Sequence, residues 1–205
     1  MTAFFLIGTL LGLSAGISPG PLLTLLVSET LRHDSKAGIK VAISPIITDL
    51  PIILLTVIIL GRLSGFHSVL GVISLIGGVV LLAMGYKSFR LKNMGTKAEM
   101  ENPKSLTKGV VVNLLNPHPY LFWFSVGAPM ITKSMKQGVW VAGAFILSFY
   151  LFLIGSKVLL ALLVGQSKSF LTGNWYLYTL RFLAVLLCLF AAVLIREGLS
   201  LLKII

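Results

Sequence analysis

Two short stretches carry two prolines each: Ser18-Pro19-Gly20-Pro21 and Asn116-Pro117-His118-Pro119. Proline removes a backbone donor and clashes with the preceding turn, so each stretch is expected to break or kink a helix. A proline in the first turn leaves the next amides, those of Leu22 and Leu23 or of Tyr120 and Leu121, free to face an anion. Ser18 and Asn116 stand where N-caps stand, and each can cap its helix or hand those donors to a ligand. Gly16 and Gly20 permit close approach of a backbone or a ligand. Asp49 and Lys157 supply charge. Both lie deep inside apolar runs, where an ionisable group is costly and functional by default. Pro45 and Pro51 flank Asp49, so its own helix is expected to be irregular. An Asp49–Lys157 pair would serve as a structural ion pair or as a switch in which Asp49 takes a proton or a substrate ammonium; both readings stay open. Glu29, Lys87, Arg181 and Glu197 lie near the ends of runs, where snorkelling explains them without a function.

Other chemistries fit the residues poorly. Gly16-Ile17-Ser18-Pro19-Gly20 matches the G-x-S-x-G pattern of serine hydrolases, but that motif belongs on a strand-to-helix elbow and no such strand is expected. His33, His67 and His118 are the three histidines, and the first two sit at run ends, which argues against a catalytic base or a metal triad. The single cysteine, Cys188, excludes a disulfide framework and a two-thiol relay. No phosphate-binding loop is present, which excludes coupling to ATP within this chain. The reading is a non-enzyme without cofactor or metal.

The elements that must position these residues are membrane helices. The chain has 205 residues, of which 57% are hydrophobic and 11% charged. That is too little polar surface for a particle in water and suits one whose outside faces lipid. At about 20 residues per crossing there is room for about six spans. Apolar runs cover approximately 3–27, 36–60, 67–89, 109–131, 138–164 and 176–202. The first run lacks a basic n-region and is too long for an h-region, so it is expected to remain as a span rather than be cleaved as a signal peptide. Spacings such as Gly8-xxx-Gly12-xxx-Gly16 let helices approach closely in lipid.

The polar stretch 91–107 divides the chain into halves, 1–90 and 108–205, within a single membrane domain. Three spans per half places similar halves in opposite orientations, the inverted-repeat plan of many secondary transporters. The double-proline breaks in spans one and four then lie at matching depth, and paired broken helices point to a substrate site. The net charge of +11 is spread at run ends, which fits a lipid bilayer better than a nucleic-acid groove. Ten Lys and Arg lie in the first, third and fifth connections, against five in the second and fourth and at the C-terminal end. This bias places the linker in the cytoplasm and both termini outside.

The run from Gly12 through Gly16 to Ser18-Pro19-Gly20-Pro21 resembles the G-xxx-G-x-S-P-G-P signature of the lysine-exporter (LysE/RhtB) translocators. Lys36-Ala-Gly38-Ile with Asp49 resembles the family's second helix, and Gly77 with Gly85-Tyr86-Lys87 the end of its third. Asn113-Leu-Leu-Asn116-Pro117-His118-Pro119, followed by Leu121-Phe122-Trp123-Phe124, is similar to its N-P-K-A-x-L-F-F element. Leu22 stands where the family commonly has Asn, and His118 and Pro119 stand where it has Lys and Ala. The resemblance implies a cell-membrane exporter of amino acids or similar small metabolites, driven by a proton or ion gradient. Substrate contacts would come from Ser18, Pro19, Gly20, Pro21, Asn116, Pro117 and His118, and coupling from Asp49 and Lys157. Metal or inorganic-cation permeation on a related fold and a non-transport membrane interaction role are the alternatives, and a homodimer stays open.

Overall fold

The computed structural model describes residues 1–60, 66–90, 103–167 and 174–204, and every regular element among them is helical. In chain order these are α1 (Thr2–Ile17), α2 (Pro21–Arg32), α3 (Ser35–Ala42), α4 (Ser44–Leu60), α5 (Phe66–Arg90), α6 (Ser105–Leu114), α7 (Pro117–Phe122), a π-helical turn (Trp123–Gly127), α8 (Ala128–Met135), α9 (Val139–Ser167) and α10 (Asn174–Leu201). Most of the polar stretch 91–107 lies outside the described residues, and its last three residues already belong to α6.

Among the described residues, three helices are long and apolar enough to cross a bilayer alone: Ser68–Lys87 within α5, Val139–Ser167, and Tyr178–Leu201 within α10. α1 and α2 make a fourth if they count as one span bent by 61°. The expected spans over 36–60 and 109–131 are built from shorter pieces. In the first, the interruption falls at Ile43 and not beside Asp49. Pro45 sits in the first turn of α4, where its missing N–H has no helical partner to lose. The helix then runs through Pro51 without a break. In the second, the chain breaks before Pro117 and later widens into the π turn.

Apolar side chains are turned outward. Leu6 and Leu10 of α1, Leu147, Leu151 and Leu159 of α9, and Leu189 of α10 are all exposed. The interior instead holds Ser44, Thr48, Asp49, Asn113, Asn116, Ser148 and Lys157. Such a distribution would aggregate in water and is what lipid selects. Several of the serines and threonines inside return their hydroxyls to the preceding turn, as Ser148 does to the Phe145 carbonyl at 3.0 Å and Ser74 to Leu70 at 2.8 Å.

Two long pairings dominate, α1 along α9 and α5 along α10. The first uses the expected glycine row. Gly8, Gly12 and Gly16 are buried against α9, where an added Cβ would meet Ser148 Oγ, the Phe149 carbonyl oxygen and Ser156 Oγ respectively. Such contact stabilises helix association by dispersion, because lipid leaves little hydrophobic drive between helices. Gly12→Leu should therefore destabilise the fold by about 1–3 kcal/mol through overpacking. Gly155→Ala, at a site on α9 with open space around it, should be neutral or slightly stabilising. Thermal unfolding of the two variants in detergent checks this; equal melting temperatures would remove the glycine row from the packing.

Candidate functional site

The structure draws the two breaks into one cavity of about 450 Å³. Ser18, Pro19, Gly20 and Pro21 line it from the first break, with Asn116 and His118 from the second. Asp49 of α4, Asn113 of α6 and Lys157 of α9 reach it as well. Pro117 does not line it and is buried at the start of α7. Phe122, Trp123 and Phe149 form an aromatic wall, in which the Phe122 and Phe149 rings stack at 5.2 Å and Trp123 meets Phe149 edge-on at 5.6 Å. Sequence reasoning did not single out Phe149, whose signal was only that of an apolar residue within a span, and Asn113 entered it only as the first residue of the run resembling the family's fourth-helix element.

The capping differs at the two breaks. Asn116 is the N-cap of α7, and its Oδ1 accepts the His118 amide at 3.2 Å. The His118 amide at that end is therefore met by the protein's own side chain, and α7 has only six residues. Ser18 follows α1 and does not cap α2; the N-cap of α2 is Gly20, which brings no side-chain acceptor. The first turn of α2, with Leu22 and Leu23, lines the cavity without a side-chain cap.

The carbonyls released by the breaks are bonded from a distance. Lys157, only 4% exposed, donates from Nζ to the Gly16 carbonyl at 2.8 Å and to Ala15 at 3.3 Å. These are the last carbonyls of α1, where the helix dipole is negative, so a cation belongs there. Across the other break the Tyr120 hydroxyl donates to the Leu114 carbonyl at 2.7 Å. α5 closes in behind it, with Gly77 set against the Leu115 carbonyl.

Asp49, also 4% exposed, is held differently from the direct pair with Lys157 considered above. Its Oδ2 accepts from the Tyr150 hydroxyl at 2.9 Å, and Trp123 and Asn113 stand within hydrogen-bonding reach. Lys157 is near enough to act on Asp49 through its charge, but its hydrogen bonds go to α1. Asn113 also donates to Thr48 Oγ1 at 2.6 Å, which ties α6 to α4 one residue before Asp49. The π turn begins at Trp123 and so re-aims the helix where its indole meets this network.

Glu29 corrects the sequence reading. It was explained there by snorkelling at a run end, but its side chain is 1% exposed. Its carboxylate accepts from Ser105 Oγ at 2.6 Å and from Lys108 Nζ at 2.8 Å. A buried carboxylate is therefore present besides Asp49, outside the cavity lining.

A family model for LysE type translocators matches residues 13–198, nearly the whole chain. The chain belongs to the LysE type translocator family. It is a membrane protein and works in membrane transport. No curated protein and no solved structure matches it. The matched region includes both breaks, Asp49 and Lys157.

The bonds from Lys157 make a prediction about stability. Lys157→Met should strand the Ala15 and Gly16 carbonyls in a dry interior and cost about 1–3 kcal/mol. Lys157→Arg should recover most of that, because its guanidinium can reach the same acceptors. Melting temperatures of the two variants in detergent decide it; a stable Lys157→Met protein would show that α1 needs no partner at its end.

Proposed function

We propose that the chain exports a neutral amino acid with an apolar side chain from the cell, driven by a proton gradient across the cell membrane. The observation that carries this reading is the content of the single cavity described above. One carboxylate, one ammonium, an uncapped helix start and an aromatic wall meet there. A zwitterion needs each of these: an anion for its ammonium, donors for its carboxylate, and an apolar surface for its side chain. Asp49 takes the first role, and the Leu22 and Leu23 amides with Lys157 the second. Phe122, Trp123 and Phe149 take the third, and Leu22 keeps that rim of the pocket apolar. A second cationic group on the substrate would find no further carboxylate among the described lining residues, which favours a neutral side chain.

Coupling follows from competition at Asp49. A proton and a substrate ammonium cannot both neutralise one carboxylate, so each excludes the other. A site that must carry one or the other between its two orientations exchanges them, and the proton gradient then drives the solute outward. Tyr150 holds the carboxylate in position for either occupant.

The two-half plan supplies the movement. The helix pairings fit six spans in two inverted triplets, and the bias of Lys and Arg toward the first, third and fifth connections favours a cytoplasmic linker with both termini outside. Under a two-fold relation, span one against span five corresponds to span four against span two, and span three against span six corresponds to itself. α1 packs on α9, α6 packs on α3 and α4, and α5 packs on α10, which is that pattern. Rocking one triplet on the other would then turn the cavity from one side to the other.

The test is flux of amino acids from vesicles containing purified protein under an imposed pH gradient. Export of apolar neutral amino acids should exceed that of lysine or glutamate. Asp49→Asn should abolish gradient-driven flux in a protein that still folds, since the amide keeps the hydrogen bond without the charge. Leu22→Asn should shift preference toward more polar substrates. Gradient-dependent flux in Asp49→Asn at the wild-type rate would leave Asp49 a structural carboxylate and sink the coupling scheme.

A further inference from the structure

The buried carboxylate of Glu29 joins the two halves of the chain at a place the substrate site does not use. Glu29 lies on α2 in the first half, while Ser105 and Lys108 lie on α6 in the second. Both donors reach it within 2.8 Å, and His33 Nε2 stands 3.8 Å from the same carboxylate. Lys108 keeps its side chain about one-third exposed, so this cluster sits at the edge of the dry interior.

Its position relative to the cavity is the same along both helices. On α2 the cavity is lined by residues 20–23, and Glu29 lies six residues beyond Leu23, about 9 Å at 1.5 Å per residue. On α6 the lining residue is Asn113, and Lys108 lies five residues before it, about 7.5 Å. Between the two levels sits a packed layer whose apolar members are Leu25, Leu26, Val41, Ala42, Val112 and Ala161, with the buried hydroxyls of Thr24, Ser28 and Ser44 among them. α9 supplies Ala161 to that layer one turn beyond Lys157, which faces the cavity. α6 begins within the 91–107 stretch, so along this helix the ion pair lies at the end that the linker enters, and the layer lies between it and the cavity.

We propose that Glu29, Ser105 and Lys108 form a latch that holds the cavity shut on the linker side and opens once in each transport cycle. The latch rests on the transport reading above, but not on the identity of the solute. A solute reaches the cavity from that side only if α2 and α6 separate through the apolar layer, and separation breaks both bonds to Glu29. An ion pair suits this task better than further apolar packing. Its Coulomb gain is largely offset by desolvation when closed, and both ions recover water when open, so the two states stay close in free energy. Packing the same layer with apolar side chains alone would leave it fixed.

The experiment reads accessibility from the linker side and needs no substrate. A single cysteine is placed in the cavity as Ala15→Cys, with Cys188→Ser removing the native thiol. The protein in vesicles of known orientation is treated from the linker side with a membrane-impermeant maleimide. Glu29→Gln should raise the labelling rate on the order of tenfold, because the closed state then holds the Lys108 ammonium without its anion while the open state hydrates it. The reversed pair, Glu29→Lys with Lys108→Glu, should restore the slow rate, an outcome that mere loss of stability would not give. Unchanged labelling in Glu29→Gln, or fast labelling in the reversed pair, overturns the latch. Should Glu29→Gln fail to fold, Lys108→Gln, at a position about one-third exposed, supplies a second measurement. It should also raise cavity labelling from the linker side, whereas labelling at the wild-type rate overturns the proposal. Wild-type vesicles without any amino-acid flux, but with labelling that follows these rules, would discard the substrate reading and keep the latch.

Discussion

A broken helix inside a membrane releases backbone donors and acceptors where no lipid can bond them, and the architecture of this protein follows from how they are satisfied. The carbonyls at the end of α1 are met by Lys157, which lies 141 residues further along the chain. The carbonyl of Leu114 at the end of α6 is met by Tyr120 from just beyond the break. The His118 amide that opens α7 is met by Asn116. The start of α2 receives no side-chain cap and faces the cavity. Three of the four helix ends are thus bonded by the protein's own side chains, and the remaining end faces the cavity without a side-chain cap.

The same constraint explains why α1 and α9 lie so close. The row Gly8, Gly12 and Gly16 lets the two helices approach closely, and at that spacing Lys157 reaches the Gly16 carbonyl. A Cβ anywhere along the row would push α9 away and draw the ammonium off its acceptors. The glycines that associate the helices and the lysine that closes the break therefore depend on one another. Asp49 belongs to a neighbouring network through Tyr150, Trp123 and Asn113, which leaves Lys157 free to serve α1 while its charge still acts across the cavity.

Charge in this molecule is used at three levels along one axis. The outer surface carries exposed basic groups such as Lys36, Lys40, Lys87, Arg181 and Arg196, the cavity holds one group of each sign, and the edge of the interior on the linker side holds the Glu29 cluster. Between the last two lies a packed, mainly apolar layer without a charged side chain among its named core residues. Alternation of wet and dry layers gives a membrane protein places where it can come apart, since ions regain hydration on separation and well-packed apolar surfaces in protein do not.

The sequence by itself determined the class of the protein and the location of its irregularities. Composition required lipid around it, the double prolines required breaks at residues 18–21 and 116–119, and the Gly8-Gly12-Gly16 spacing required a close helix neighbour. These are local or compositional properties, which a chain expresses wherever its parts end up. Only the tertiary structure decided the partners. That Asp49 bonds to Tyr150, that Lys157 bonds to α1, and that Glu29 is sealed by Ser105 and Lys108 all depend on contacts across 76 to 142 residues. Side-chain type and spacing along one helix cannot specify which other helix a residue meets. Glu29 shows the limit most plainly: a carboxylate near the end of an apolar run is exposed or buried according to what packs over that end, and here the packing comes from the opposite half of the chain.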